Sequence, residues 1–488
     1  MAKKRTNTFV KKVTSQKVVL GFQAIVSAIL LFCIVNLSML PMLYIGGVVL
    51  LLLVLMGLSF ALTKSKKEKS KKVVFGKFLS VFLSLVMLIG SLSIAKGDSV
   101  LGNITGANTQ THAMSTIVLK DGSIRTVKDL KDKTVGISTT LDTENTPKAV
   151  EDLNKKAKVK TTEYSDLNTL AQALYDQKVD AIIMNESMRG MLEEKFPDFD
   201  SKTKVIHQLE IEEKIEDVTK SANVTKETFN IYLSGIDTTG KVSTVSRSDV
   251  NMVVTVNPKT KQILLTSIPR DYYVTLASKG AKDKLTHAGL YGVNESIKTI
   301  ENFMGIEINY YARVNFTSLI KMVDALGGIE VYSDKSFTPY TDQGVYINEG
   351  MNHFDGRKAL AFARERYAYA EGDNHRVQNQ QAVLTAMLDK MMSPAIITNY
   401  NSVLNSIQGS FETNMSSNDI TSLIKMQLND MSGWQIMNQQ LSGTGNSSSP
   451  VYSMPSAKGV YVMIPNQDSI TQASNKINQM VKGEKISA

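Results

Sequence analysis

Arginine is scarce in this chain and clustered where it occurs. Ten of the 55 basic residues are Arg, and seven of those ten fall within 130 residues: Arg247, Arg270, Arg313, Arg357, Arg364, Arg366 and Arg376. Lysine supplies the generic solvated charge, so repeated arginine in one stretch suggests a geometric need. A planar guanidinium donates paired hydrogen bonds to phosphate or carboxylate, whereas an ammonium is a point charge. The competing reading is a set of ordinary surface ion pairs. It suits any single member better than the set, because several members have neighbours that look like parts of a site. Asp237 follows an alternating strand, and Asp249 opens the next within Ser246-Arg247-Ser248-Asp249. Open α/β sheets build sites at strand ends, and two carboxylates on adjacent ends can hold one hard cation that screens a pyrophosphate. Pro269-Arg270-Asp271 closes a further strand, and Arg364-Glu365-Arg366, if extended, puts two guanidinia on one side. Arg376 and Gln380 are four apart and share one face of a predicted helix. Arg376 lies near that helix's start, where backbone N–H groups favour anions. The bland alternatives are a turn or capping aspartate for Asp237 and a solvated helix face for Gln380.

Other chemistries find no support. There is no His-Glu-x-x-His, Gly-x-Ser-x-Gly or Cys-x-x-Cys, and five scattered histidines offer no ligand spacing. A single cysteine, Cys33, excludes an intramolecular disulfide framework. Residues 235–241 (GIDTTGK) match phosphate-loop spacing, but Val242 stands where the Mg²⁺-binding hydroxyl belongs and no amphipathic helix follows.

The elements that must position these residues follow from periodicity. A hairpin is predicted from residues 250–256, the turn Asn257-Pro258-Lys259-Thr260, and residues 262–268, beside a strand at 229–235. Helices are predicted at 292–303, 316–326, 376–392 and 469–481, a loop at 442–450 and a last strand at 461–464. Upstream, strands at 134–137, 158–163 and 181–184 alternate with helices at 146–157 and 167–177. That βαβαβ order implies a small α/β domain with a largely parallel sheet.

At 488 residues with 43% hydrophobic and 21% charged residues, the chain is too long for one core and too apolar to be disordered. The net charge of +9 divides into +13 for residues 1–96 and −4 for the rest, which leaves a nucleic-acid-binding reading little support. The basic part carries apolar stretches at 18–40, 42–62 and 73–95, each long enough to cross a bilayer core. Cations in the N-terminal tail and at 64–72 place both on the cytoplasmic side, so everything after about Gly97 is expected outside the cell membrane. The expected layout is a cytoplasmic tail (1–17), three transmembrane helices (18–96), a linker (97–112), an accessory α/β domain (113–220) and an α/β catalytic domain (221–488). The fold class is thus α/β, with a three-helix anchor and a central mixed sheet flanked by helices.

With these residues in view, the chain resembles the LytR-CpsA-Psr family. The likeness rests on residues 229–237, 246–249 (SRSD), 267–271 (ending PRD), 284–288 (KLTHA), 324–331 (DALGGIEV) and 356–381 (GRKALAFARER and HRVQNQQ), in the family's order. It covers roughly residues 228–395 by motif, and the whole chain by the layout of the capsule-linked members. The resemblance implies a phosphotransferase that moves a glycopolymer, here capsular polysaccharide, from a polyprenyl pyrophosphate lipid to a peptidoglycan hydroxyl, leaving polyprenyl phosphate. It implies Mg²⁺, with Mn²⁺ as a substitute, held by Asp237 and Asp249. Arg247, Arg270, Arg364, Arg366, Arg376 and Gln380 would clamp the pyrophosphate, with Asp373 beside them. Catalytic roles fall to Arg247, Asp249, Arg270 and Asp271, either aspartate being a candidate base, and the lipid tail would occupy an apolar tunnel between sheet and helices. The implied partners are the lipid-linked polysaccharide, peptidoglycan, the membrane and other capsule-assembly proteins, with no nucleic acid. Residues 113–220 resemble one lobe of an extracellular solute-binding protein; without an opposing lobe, a docking or scaffolding role is expected. The rival function is a membrane sensor that binds a phosphorylated lipid without turnover.

Overall fold

The computed structural model describes residues 14–487 other than 65–69, 140, 237–240, 394–398, 400–401, 407, 410 and 456. Contacts divide the chain into two compact units. One gathers Met1–Thr105, Lys390–Gln408 and Ser416–Gly433; the other gathers Gly106–Asp389, Gly409–Met415 and Trp434–Ala488.

The first unit contains three helices long and apolar enough to cross a membrane: α1 (Gln16–Leu37), α2 (Met42–Thr63) and α3 (Lys71–Ile104). Phe32, Leu43, Leu53, Phe78 and Ile89 turn outward and stay exposed, as expected of side chains whose solvent is lipid. The polar Gln23 is buried and its Oε1 accepts from Ser80 Oγ at 2.6 Å, a polar contact between the first and third helices, while its Nε2 has no partner among the described residues. Helix α3 runs 34 residues, through much of the stretch expected to be a linker. No proline interrupts residues 97–104, and each added residue gains one backbone hydrogen bond once the helix is nucleated. The remaining linker residues from Thr109 onward already belong to a strand.

Among the described residues the second unit contains two main sheets and three two-stranded ones. The smaller main sheet has the order β3-β2-β4-β1-β5, from β1 (Thr109–Leu119), β2 (Thr134–Ile137), β3 (Lys160–Glu163), β4 (Ala181–Asn185) and β5 (Thr203–Lys214). The βαβαβ core appears as read, with α4 (Asn145–Lys156) and α5 (Leu167–Tyr175) on opposite faces. The sheet is not largely parallel, however. β2 is parallel to β3 and β4, but β1 runs antiparallel to both β4 and β5. β5 reads weakly in sequence because Val205 and Ile206 are adjacent and His207 and Gln208 follow them, leaving only residues 209–212 in alternation before Glu213 and Lys214. Charged residues are how an edge strand avoids further pairing.

The larger sheet has the order β12-β9-β6-β7-β8-β13. Its strands are β6 (Phe229–Ile236), β7 (Ser248–Asn257), β8 (Gln262–Ile268), β9 (Tyr310–Asn315), β12 (Phe411–Thr413) and β13 (Gln435–Gln440); β10 (Ile329–Ser333) and β11 (Gly350–Phe354) form a separate hairpin. The sheet is mixed: β6 pairs β9 in parallel and β7 antiparallel. The β7–β8 turn is built by Asn257, whose Oδ1 accepts from the Lys259 and Thr260 amides. One face packs Tyr232, Val253, Leu264 and Tyr311 against α7 (Val293–Met304) and the C-terminal helix α12 (Gln467–Val481), which contribute Ile297, Ile300, Ile470 and Ile477. The 442–450 loop instead contains a short strand, β14 (Gly443–Asn446), paired with β15 (Val462–Pro465).

Helices α8 (Phe316–Ala325), α9 (Gly356–Arg364) and α10 (Asp373–Met392) follow the larger sheet's strands, and the 417–430 helix α11 belongs to the anchor's unit. α8 and α9 cross where Gly356 lacks a side chain: a Cβ there would lie 2.6 Å from Ile320 Cα and 2.7 Å from its carbonyl carbon. Backbone cannot yield as a flexible side chain does. Gly356→Ala should therefore lower stability by about 1–3 kcal/mol, as overpacking does, read as a lower thermal midpoint in detergent. An unchanged midpoint would mean that the crossing relaxes freely.

Candidate anion-binding active site

The β7–β8 hairpin brings two of the predicted residues together. Asp249 is the second residue of β7, and Arg270 follows β8. Arg270 Nη1 donates to Asp249 Oδ1 at 2.9 Å, and Thr286 Oγ1 reaches the same oxygen at 3.5 Å. Burial by itself would raise the Asp249 carboxyl, but the charges of Arg270, Arg247 and Arg376 outweigh it and hold the group below the usual carboxylate range. Asp249 is therefore ionised. Asp271 faces two cations, with Oδ2 3.6 Å from Arg270 Nε and Oδ1 3.4 Å from Lys284 Nζ.

Helix α10 supplies the opposite side. Asp373 opens it, and its Oδ1 lies 3.2 Å from Arg366 Nε and 2.9 Å from Arg376 Nη2. Arg376 is only 5% exposed. Burial pushes its guanidinium down to about 10; Asp373 opposes that fall, while Arg366 and Arg270 add to it. Asp373 thus bridges Arg366 and Arg376, and the charges of Arg366 and Arg270 both act on Arg376. Among the described residues, the buried Nε groups of Arg270 and Arg376 have no hydrogen-bond partner, although the Asp271 carboxylate lies 3.6 Å from that of Arg270. Burying a charged N–H donor unmet is expensive. Like charges gathered around orphaned donors form a site suited to a multiply charged anion with several acceptor oxygens.

The remaining predicted residues divide. Arg247 is half-buried and close enough to help hold Asp249 ionised. Arg364 and Arg366 do not lie side by side on an extended strand. Arg364 ends α9, with its guanidinium 4.2 Å from the Phe316 ring centroid, and the chain turns at the buried Glu365. That carboxylate accepts from the Arg366, Tyr367 and Ala368 amides, which fixes the turn and gives the two arginines different partners. Gln380 lies one turn beyond Arg376, and its Nε2 donates to the Ala363 carbonyl at 3.4 Å. Asp237 lies outside the described residues. Ile236, the last residue of β6, pairs with Ser248 beside Asp249. Lys241 of the phosphate-loop lookalike pairs instead with Glu210 at 2.6 Å.

Lys284 was missed as a site residue. Its side chain is 7% exposed and approaches Asp271, yet in sequence it is one lysine of many; only its place in KLTHA marked it. Conversely, Arg313 and Arg357 leave the cluster. Arg313 is buried against Glu412 at 2.9 Å, and Arg357 makes a solvent-exposed pair with Asp342 at 2.6 Å.

On the sheet face opposite the α7–α12 core, Met252 and Tyr310 are fully buried but several apolar neighbours in register with them are not. Ile231, Leu233, Val250, Val254, Ala312 and Val314, on three neighbouring strands, are only half-buried, whereas Tyr232, Val253 and Tyr311 on the other face are fully buried. Strand register joins these six into one apolar strip, and Val250 sets its end next to Asp249.

Several known proteins are similar to parts of this chain. The LytR_cpsA_psr family matches residues 197–479, and the NMT1/THI5 like family matches residues 97–207. A polyisoprenyl-teichoic acid–peptidoglycan teichoic acid transferase, TagU of Enterococcus faecalis (strain ATCC 700802 / V583), is 36% identical over 224 residues, covering 45% of this chain and 72% of the relative. TagU of Bacillus anthracis is 38% identical over 200 residues, covering 41% of this chain and 64% of the relative. A solved structure of a LytR-CPS2A-psr family protein, YwtF (TagT), with bound octaprenyl pyrophosphate lipid is 28% identical, with a TM-score of 0.42 over 54% of this chain and 94% of that one.

Proposed function

The chain belongs to the LytR-CpsA-Psr family, and from that membership we propose that it transfers a glycopolymer from a polyprenyl pyrophosphate lipid to peptidoglycan. The observation that carries the reading is the convergence of Arg270, Arg366 and Arg376, two of them with orphaned buried Nε donors. The curated relatives are named for this type of transfer. The polymer favoured by the chain's three-helix layout is capsular polysaccharide.

The acceptor hydroxyl attacks the sugar-linked phosphorus. A new O–P bond forms, the bond to the bridging oxygen breaks, and polyprenyl phosphate leaves with that electron pair while the hydroxyl proton passes to a base or to solvent. Such a step needs little covalent help from the protein; it needs charge neutralised on the phosphoryl and leaving oxygens. Arg270, Arg366 and Arg376 supply fixed positive charge at no reorganisation cost, and Arg247 and Lys284 extend it. The apolar strip from Val250 to Ile231 takes the polyprenyl chain. Asp249, held strongly ionised, is a poor proton acceptor and a suitable ligand for a hard cation. With Asp237 it would be the pair to hold Mg²⁺ or Mn²⁺, and such an ion when bound would add further charge neutralisation. The helices anchor the site beside its lipid donor, with the catalytic part on the outer side, where peptidoglycan lies.

The full chain in detergent, given a polyprenyl-pyrophosphate-linked saccharide and a peptidoglycan glycan, should yield linked product and polyprenyl phosphate. Chelation should reduce the rate at least tenfold, with Mg²⁺ or Mn²⁺ restoring it. Lipid binding without product would overturn the transferase reading, and a rate indifferent to chelation would remove the metal.

A further inference from the structure

We propose that the accessory α/β domain is a working part of the active site, its Gly190 and Glu193 acting as positioning residues for Arg247. The inference rests on the reading above, in which Arg247 serves the phosphoryl centre. Three independent observations support it. First, Gly190 lies on the short helix α6 (Arg189–Lys195), and a Cβ at that position would overlap the Arg247 guanidinium, 2.5 Å from Cζ and 3.0 Å from Nε. Only a residue without a side chain lets the accessory backbone approach so closely. Glu193 follows three residues later, so it presents the same side of the helix. Its carboxyl is raised by burial and by Asp200, with Arg189 and Arg247 opposing, so the Arg247 charge acts on it. The Arg247 charge thus acts on both Glu193 and Asp249.

Second, the segment leading to Arg247 is stitched to the accessory sheet. Thr111 of β1 donates its amide to Ser243 O at 2.9 Å and accepts from the Val245 amide at 2.8 Å. Thr111 and Thr244 form a parallel bridge, and Lys241 pairs with Glu210 of β5. Third, the accessory core is shared: Leu290 and Met454, from outside the accessory domain, pack with Leu167, Leu170, Ile182 and Leu192. A shared core resists hinge motion, so the accessory domain is a fixed wall rather than a mobile lobe. This gives it a role distinct from solute capture.

Gly190→Ala in the full chain tests the idea, because the added methyl must displace a flexible side-chain end and leaves the fold intact. Transfer kcat should fall about tenfold or more, as when one transition-state donor is removed, with an unchanged thermal midpoint. Glu193→Gln, nearly isosteric, should lower kcat in the same direction. In an Arg247→Lys background, either change should alter the rate by less than about twofold, since coupled residues are non-additive. Equal losses in both backgrounds, or wild-type kcat in Gly190→Ala, would overturn the proposal. A second readout does not need turnover: with ten arginines, side-chain ¹⁵Nε spectra are tractable, and Gly190→Ala should move the resonance that Arg247→Lys abolishes. If wild-type protein shows no transfer, the functional reading fails, and an unmoved resonance would separately sink the positioning claim.

Discussion

Arg376→Lys is expected to fold normally and to lose about 10²–10³-fold in transfer kcat, the scale seen when a preorganised transition-state donor is removed. Arg376 is nearly buried, bonds Asp373 through Nη2 and carries an orphaned Nε. In the proposed reading its value lies in a rigid fork that would keep one edge on Asp373 while offering another to the phosphate. Lysine offers one ammonium at the end of a flexible stem and cannot hold both. The charge is conserved, so a purely electrostatic role would survive the change and a geometric one would not. Arg357→Lys is the matched control, because Arg357 is exposed and paired with Asp342 away from the cluster; its rate should stay within about twofold, as for most exposed ion pairs. Steady-state kinetics with thermal unfolding on both variants decides the matter. A wild-type rate in Arg376→Lys would remove that residue from the site.

Arg313→Ala should give the largest stability loss, about 3–5 kcal/mol, because removing one partner leaves a buried charge uncompensated. Arg313 and Glu412 are cross-strand partners on β9 and β12, their side chains 5% and 11% exposed. Arg313 also donates to the Thr244 carbonyl at 2.7 Å, in the segment that leads to Arg247. Burial already raises the Glu412 carboxyl, with Arg313 opposing. Without Arg313 it rises further. A carboxyl whose folded value lies above its unfolded one binds protons preferentially in the native state, so stability falls as pH rises through that window. The deficit should therefore shrink as pH is lowered from neutrality toward the ordinary Glu range. Glu412→Gln in the same background should recover much of it. A deficit independent of pH would mean that lost packing, rather than the stranded charge, is responsible.

The two predictions separate arginines that look alike in sequence. Scarcity of Arg against abundant Lys pointed to a special stretch, and SRSD, PRD and HRVQNQQ pointed to Arg247, Arg270 and Arg376 within it. Nothing local distinguished Arg313 and Arg357, whose partners Glu412 and Asp342 lie 99 and 15 positions away. Arg364 and Arg366, two residues apart, appeared to share one side. A helix end and a buried glutamate separated them. Lys284 was hidden for the converse reason, since its significance comes from Asp271 across a turn.

Sequence alone determined the features that depend on near neighbours along the chain: three apolar helices, the βαβαβ order and the 248–268 hairpin with its asparagine turn. Each is set by periodicity or turn chemistry within a few residues. Tertiary structure decided which arginines converge, that β1 and β5 make the small sheet mixed, that helix α3 absorbs much of the expected linker, and that Gly190 presses against Arg247. Those outcomes depend on contacts between residues tens to hundreds of positions apart. Close packing and the need to satisfy buried charge select among partners there, and no local pattern records the choice.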